Sequence, residues 1–158
     1  MIRVLFVCMG NICRSPMAEA VFADMVAKAG LSNEIEVDSV GIGSWHVGEP
    51  AHRGTLAILK QNNIPYNGRA RQIAKADIER SDYVLAMDRE TLSGIWRLGA
   101  GGNAEIGLFL RYAQARGTVD MDEVPDPYYD NTFDRAYSLI TRGCEALLDH
   151  IRREHALA

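Results

Sequence analysis

Three cysteines in 158 residues, Cys8, Cys13 and Cys144, are too few and too unevenly spread for a disulfide framework. Free thiols suit a reducing compartment, so a cytoplasmic protein is expected, with cysteines that act as nucleophiles or fill cores. Taken with His46 and His52, Cys8 and Cys13 lack the paired short spacings of zinc ligands, and no metal or other cofactor is expected. No stretch reaches the roughly 20 apolar residues of a membrane span, which argues against a membrane partner. The apolar start at Val4 is interrupted by Asn11 and Arg14 with no small-residue cleavage site behind it, so it reads as a strand and not a signal peptide. No run of five or more basic residues occurs. Lys and Arg number 17 against 21 Asp and Glu, and a net charge of −4 argues against nonspecific nucleic-acid binding. No repeat or low-complexity segment divides the chain, so a single domain over residues 1–158 is expected. With 47% hydrophobic and 24% charged residues, such a domain can bury a core without staples.

What the chain has is a dense stretch near its start, Cys8-Met9-Gly10-Asn11-Ile12-Cys13-Arg14-Ser15. Ahead of it, Val4-Leu5-Phe6-Val7 reads as a buried strand. Behind it, Ser15-Pro16 reads as an N-cap followed by proline at the first helical position. A strand that turns through a short loop into a helix aims loop amides at the positive end of the helix dipole, which makes an anion site. Cys8 and Arg14 sit in that cup. The amides and the guanidinium favour a thiolate at Cys8, and the planar fork of Arg14 suits two oxygens of one phosphate. A thiolate beneath a tetrahedral dianion is a nucleophile aimed at phosphorus. Asn11 suits left-handed backbone geometry within the loop.

Onward from Pro16, Met17, Ala20, Val21 and Met25 mark one face of a helix that Gly30 closes. Residues 35–40 alternate as a second strand. A glycine-rich loop, 41–50, carries Trp45, and a helix is expected over 52–62 with Leu56, Ile58 and Leu59 inside. A turn at 64–68 precedes a short helix over 74–80 and a third strand over 82–87. Asp88 then opens a helix holding Leu92, Ile95, Trp96 and Leu98, with Trp96 expected in the core. A flexible link covers 99–103, a fourth strand 104–110, and an acidic, proline-punctuated loop 122–130. The last helix, from about Thr132, lines up Phe133, Tyr137, Ile140, Cys144, Leu147 and Ile151 in one seam. Strands separated by helices predict a three-layer α/β sandwich with a four-stranded parallel sheet, flavodoxin-like, and ligands beyond the carboxyl ends of its strands.

Cys-x5-Arg-Ser is a signature of cysteine-dependent phosphatases. With the strand just ahead, and with Asn11, Cys13 and Pro16 in place, this chain resembles the low-molecular-weight protein tyrosine phosphatases over nearly its whole length. The resemblance implies a metal-independent hydrolysis of phosphotyrosine-containing proteins through a phosphocysteine, with phosphate and vanadate as inhibitors. It makes Cys8 the nucleophile, Arg14 the phosphate grip, and the stretch Met9, Gly10, Asn11, Ile12, Cys13 and Ser15 the cradle. Asn11 braces the loop, Ser39 supports Asn11, and Ser15 donates to the thiolate. Ile12 and Trp45 line an aromatic slot. A phenolate leaves poorly without a proton, and Pro125-Asp126-Pro127-Tyr128-Tyr129-Asp130 offers a stiffly held acid. The resemblance gives that role to Asp126 and the pocket rim to Tyr128 and Tyr129. It also makes Cys13 the thiol that traps oxidised Cys8 as a disulfide, whereas the commoner fate of such a cysteine is packing. Where the family often carries a histidine, this chain has Gly68, so a bond supporting Asn11 is expected to be lost or taken by water. Asp88 matches a family position of unassigned role.

Three other readings set the limits. A thiol-coupled arsenate reductase needs two further cysteines near the middle of the chain, and residues 80–94 hold none. A protein-arginine phosphatase tends to carry threonine where Ile12 stands. A non-catalytic phosphate-binding module needs neither Cys8 nor Asp126.

Overall fold

Alternation along one strand sorts the interior into two cores. The computed structural model describes residues 1–99 and 102–158. Its elements run β1 (Ile2–Cys8), α1 (Arg14–Lys28), β2 (Ile35–Gly41), α2 (Arg53–Gln61), α3 (Lys75–Arg80) and β3 (Tyr83–Ala86). There follow α4 (Arg89–Leu98), β4 (Glu105–Leu108), α5 (Arg111–Ala115), the single turn α6 (Pro127–Asp130) and α7 (Phe133–Glu154). Val4, Phe6 and Cys8 of β1 face one core, built with α1, α2, α5 and α7. Leu5 and Val7 face the other, closed by Ile78 of α3 and Ile95 of α4. The four strands are parallel in the order β2-β1-β3-β4. This is the three-layer flavodoxin-like sandwich.

Phe6 anchors the larger core, with its ring edge-on to Phe22 at 5.7 Å and to Phe109 at 5.2 Å. Ile140, Cys144, Leu147 and Ile151 of α7 are fully buried against it. Phe133, at the head of the same seam, packs against this core and also against a small cluster of Ile12, Cys13 and Ala70. Cys8 is the last residue of β1, one place earlier than a position just past the strand, and pairs in register with Gly41. A Cβ on Gly41 would lie 3.0 Å from the backbone of Gly10 and Asn11. Only glycine lets the loop after β1 lie so close to β2.

Four expectations need correction. Ser15 is not a cap: α1 begins at Arg14, and Cys13, at the N-cap position, makes no side-chain capping bond. The first-turn amides are thus left to another partner. The fourth strand stops at Leu108, and 111–115 coil into α5, because Tyr112 and Ala113 bury themselves as a helical turn. The acidic loop contains α6, which Asp126 caps by accepting the Tyr128 N–H at 3.1 Å. Trp96 is about half exposed: α4 turns Ile95 inward, and the next residue lies about 100° around the helix. In the glycine-rich link, Ala100 and Gly101 lie outside the described residues.

Candidate active site

Cys8 ends the central strand with its sulfur under two donors. The Asn11 N–H points at Sγ from 3.3 Å, and Ser15 Oγ lies 3.0 Å away. Ser15 also accepts from Asn11 Nδ2 at 2.8 Å, so its own proton faces two acceptors, the Cys8 sulfur at 3.0 Å and the more distant Val40 carbonyl at 3.4 Å. Asn11 has a φ of 57°, and all three of its side-chain bonds are made. Nδ2 serves Ser15 and Ser39 Oγ (3.0 Å), and Oδ1 accepts the Arg71 N–H (2.9 Å). A backbone N–H can only donate, so the Arg71 bond fixes which end of the amide is oxygen.

Arg14 is buried under the loop, on the first turn of α1. Its Nη1 donates to Asp88 Oδ2 at 2.6 Å and to the Val124 carbonyl at 2.8 Å. Nη2 lies 3.5 Å from Asp126 Oδ2, and buried Nε has no hydrogen-bond partner among the described residues. One edge of the guanidinium is therefore held, while Nε waits for an acceptor such as a phosphate oxygen. Burial alone would make the cation costly, but the charges of Cys8, Asp88 and Asp126 raise the Arg14 pKa instead. The same pairing acts on Asp88. Burial works against its charge, yet Arg14 and the Thr91 N–H hold it below the ordinary carboxylate range. Asp88 also caps α4 through that N–H, at 2.8 Å. Its unassigned place in the sequence is thereby explained as the clamp on Arg14.

The cleft above the sulfur has a volume of about 440 Å³. Met9, Gly10, Ile12, Cys13 and Arg14 form its floor, and Asp88, Glu90 and Asp126 one wall. Trp45, His46, Tyr128 and Tyr129 make the mouth. Of the thirteen residues expected in the site, Cys8 included, ten line the cleft, Asn11 and Ser15 touch the Cys8 sulfur, and Ser39 stands behind Asn11. Burial, with lesser contributions from Asp126 and Cys8, pushes the Cys13 thiol up to about 12. Cys144 is fully buried in the α7 seam and rises for the same first reason. No group of three or more metal-ligating side chains occurs among the described residues.

Sequence reasoning missed His46 and Glu90 at the cleft, while His52 stands behind it, in keeping with histidines that support the site without lining it. His52 N–H donates to the Ile12 carbonyl at 2.7 Å, and its ring stacks on Phe133 at 5.0 Å, edge-on to Tyr128 at 5.9 Å. At Gly68 the expected loss of a bond to Asn11 stands, since the Asn11 side chain bonds Ser15, Ser39 and Arg71, but water does not take the space. A Cβ there would lie 2.3 Å from the Tyr66 hydroxyl, so the space is occupied by protein and not left to water. Tyr66 donates to Glu19 Oε1 at 2.9 Å, and Ser39 donates to the same oxygen at 2.6 Å.

The cup gathers a sulfur, the loop after β1 and a buried guanidinium at the head of a helix. That is the plan of the cysteine-dependent phosphatases. A family model described as low molecular weight phosphotyrosine protein phosphatase matches residues 3–157, and the chain belongs to that family. It is 46% identical to the low molecular weight protein-tyrosine-phosphatase YfkJ of Bacillus subtilis, over 99% of this chain and all of that one. The crystal structure of YfkJ superposes with a TM-score of 0.92, covering 98% of this chain and 96% of that one. PtpA of Staphylococcus epidermidis is 37% identical over 98% of this chain and 96% of its own. A Drosophila arginine phosphatase shares 33% identity with a TM-score of 0.87, covering 96% of this chain and 98% of that one.

The Arg14–Asp88 clamp gives a first prediction. Asp88→Asn keeps a cap for α4 but loses the charge on Nη1. It should cost about 1–3 kcal/mol of stability at neutral pH, the size of a hydrogen bond to a charged group, and weaken phosphate binding about tenfold. The folded pKa of Asp88 is depressed, so its contribution is complete above the ordinary value of 3.8 and is lost as pH falls below it. In urea titrations the gap between native and variant should be flat near neutrality and close in acid. A gap that widens in acid would contradict the clamp.

Proposed function

We propose that this chain hydrolyses protein phosphotyrosine in two steps through a phosphocysteine, without a metal. The observation that carries this is the sulfur of Cys8 between Asn11 N–H and Ser15 Oγ, in a cleft whose buried arginine has no partner for Nε among the described residues. Cys8 attacks phosphorus as the bond to the tyrosine oxygen breaks. The loop amides from Met9 to Ser15 and the free edge of Arg14 hold the equatorial oxygens where charge accumulates. Asp126 gives its proton to the departing oxygen; its extended backbone, set between two prolines, aims the carboxylate at the cleft. In the second step the same carboxylate takes a proton from water, which displaces Cys8 from phosphorus. Phosphate and vanadate compete for the cup as inhibitors. Ile12 offers the substrate ring an apolar side, and Trp45, Tyr128 and Tyr129 surround it.

A second reading has support in the similarity to the arginine phosphatase, and the proton donor separates the two. Native protein and Asp126→Asn are compared by kcat/KM on phosphotyrosine, on a phenyl phosphate with an acidic leaving group, and on phosphoarginine. Native protein should prefer phosphotyrosine, and the substitution should slow it by about 10²–10⁴ while sparing the acidic ester. A native preference for phosphoarginine overturns the substrate. An equal loss on both esters moves the acid elsewhere.

We also propose that the protein works in the cytoplasm and that Cys13 protects Cys8 from overoxidation. Peroxide converts the Cys8 thiolate to a sulfenic acid. Cys13 sulfur then attacks, water leaves, and a disulfide forms that a thiol reductant reopens. Burial pushes the Cys13 thiol up to about 12, which leaves Cys8 as the readier of the two to meet peroxide. After a peroxide pulse, Cys13→Ser should regain less activity than native protein on reduction. Equal recovery would leave Cys13 as a packing residue.

A further inference from the structure

Among the described residues, Glu19 is a half-buried carboxylate beside the site that neither step above uses. Glu19, on α1, accepts from two hydroxyls at once: Ser39 of β2, at 2.6 Å, and Tyr66, at 2.9 Å. Burial raises its pKa, with the two hydroxyl donors working in the opposite direction. The proton inventory of its neighbours shows what it does. Ser39 Oγ faces Asn11 Nδ2 on its other side, and that amide nitrogen can only donate. Asn11 cannot turn over to offer its oxygen, because the Arg71 N–H already holds Oδ1. The Ser39 proton therefore has to leave toward Glu19.

We propose that Glu19 is a positioning residue for Cys8, the terminal acceptor of a hydrogen-bond chain that runs through Ser39 and Asn11 to both donors on the sulfur. With Glu19 accepting, Ser39 accepts from Asn11, and Asn11 keeps its left-handed backbone and its bond to Ser15. Its N–H and the Ser15 hydroxyl then both converge on Cys8. Without an acceptor at Glu19, the Ser39 proton is left buried and unpartnered, a cost that draws Ser39 away from the place where it accepts from Asn11. The bond from Asn11 to Ser39 then weakens, and the donors on sulfur shift with it. Tyr66 holds the carboxylate from the far side, in the space that Gly68 leaves open.

The proposal rests on Cys8 as nucleophile but is tested without substrate. The readout is the pH dependence of Cys8 alkylation by iodoacetamide, located by fragment mass spectrometry, with a thermal melt to check folding. Glu19→Gln keeps an oxygen that accepts from both hydroxyls; Glu19→Met has the length and no acceptor. Glu19→Met should raise the alkylation midpoint by about one pH unit, the size of one hydrogen bond, and Glu19→Gln should restore it. If Glu19→Met does not fold, the pair is compared in a Tyr66→Phe background, where only the Ser39 proton lacks an acceptor. Equal midpoints for the Gln and Met variants, whether native-like or both raised, overturn the proposal. Turnover of phosphotyrosine by native protein is measured alongside; its absence would count against the proposed function and leave the alkylation result to stand.

Discussion

The side-chain amide of Asn11 is the one interaction that the site cannot lose. Holding a residue with a Cβ in left-handed geometry costs about 1–2 kcal/mol. Three hydrogen bonds at about 0.5–1.5 kcal/mol each more than offset that. Those bonds run to three separate parts of the chain: Ser15 on α1, Ser39 on β2 and the Arg71 backbone. Through them the position of the Cys8 sulfur is tied to the packing of the sheet against α1. Arg71 is itself gripped by Asp77 through two bonds and by Asp38 through one, so its peptide is also fixed. The loop is thus braced from outside before any anion arrives.

The charges follow the same logic. A buried guanidinium is expensive unless paired, and a fully paired one has nothing left for a ligand. Arg14 lies between these limits, with Asp88 and a carbonyl on Nη1, Asp126 loosely on Nη2, and Nε unpaired. At the head of α1 the cap position contributes no side-chain bond, and the first turn has no acidic residue. Positive potential is therefore left uncompensated where a phosphate would lie.

Local signals were legible in the sequence because they depend on neighbours in the chain. The continuous apolar run Val4-Leu5-Phe6-Val7 gave β1, the Cys-x5-Arg spacing gave the cup, and the prolines around Asp126 set its backbone. What could not be read depends on how the fold turns each side chain and on the partners it brings up, near in the chain or far. Ser15 has the composition of a cap, but Cys8 and Asn11 claim its hydroxyl. Trp96 fits an apolar stripe, but the residue before it takes the buried face. The gap at Gly68 is filled by Tyr66, two residues away, and the effect is felt at Glu19, 47 residues from Tyr66. Asp88 reads as an ordinary helix cap until the fold sets Arg14 beside it.

The account turns on sulfur as the atom that takes the phosphoryl group. Its most direct test is an acid quench of native protein with phosphotyrosine peptide during turnover, followed by mass mapping of the phosphorylated residue. The account predicts phosphate on Cys8, absent from Cys8→Ser, which should still bind vanadate because backbone amides and Arg14 make most of the cradle. Phosphate trapped on any other residue, or turnover that survives Cys8→Ser, would contradict it.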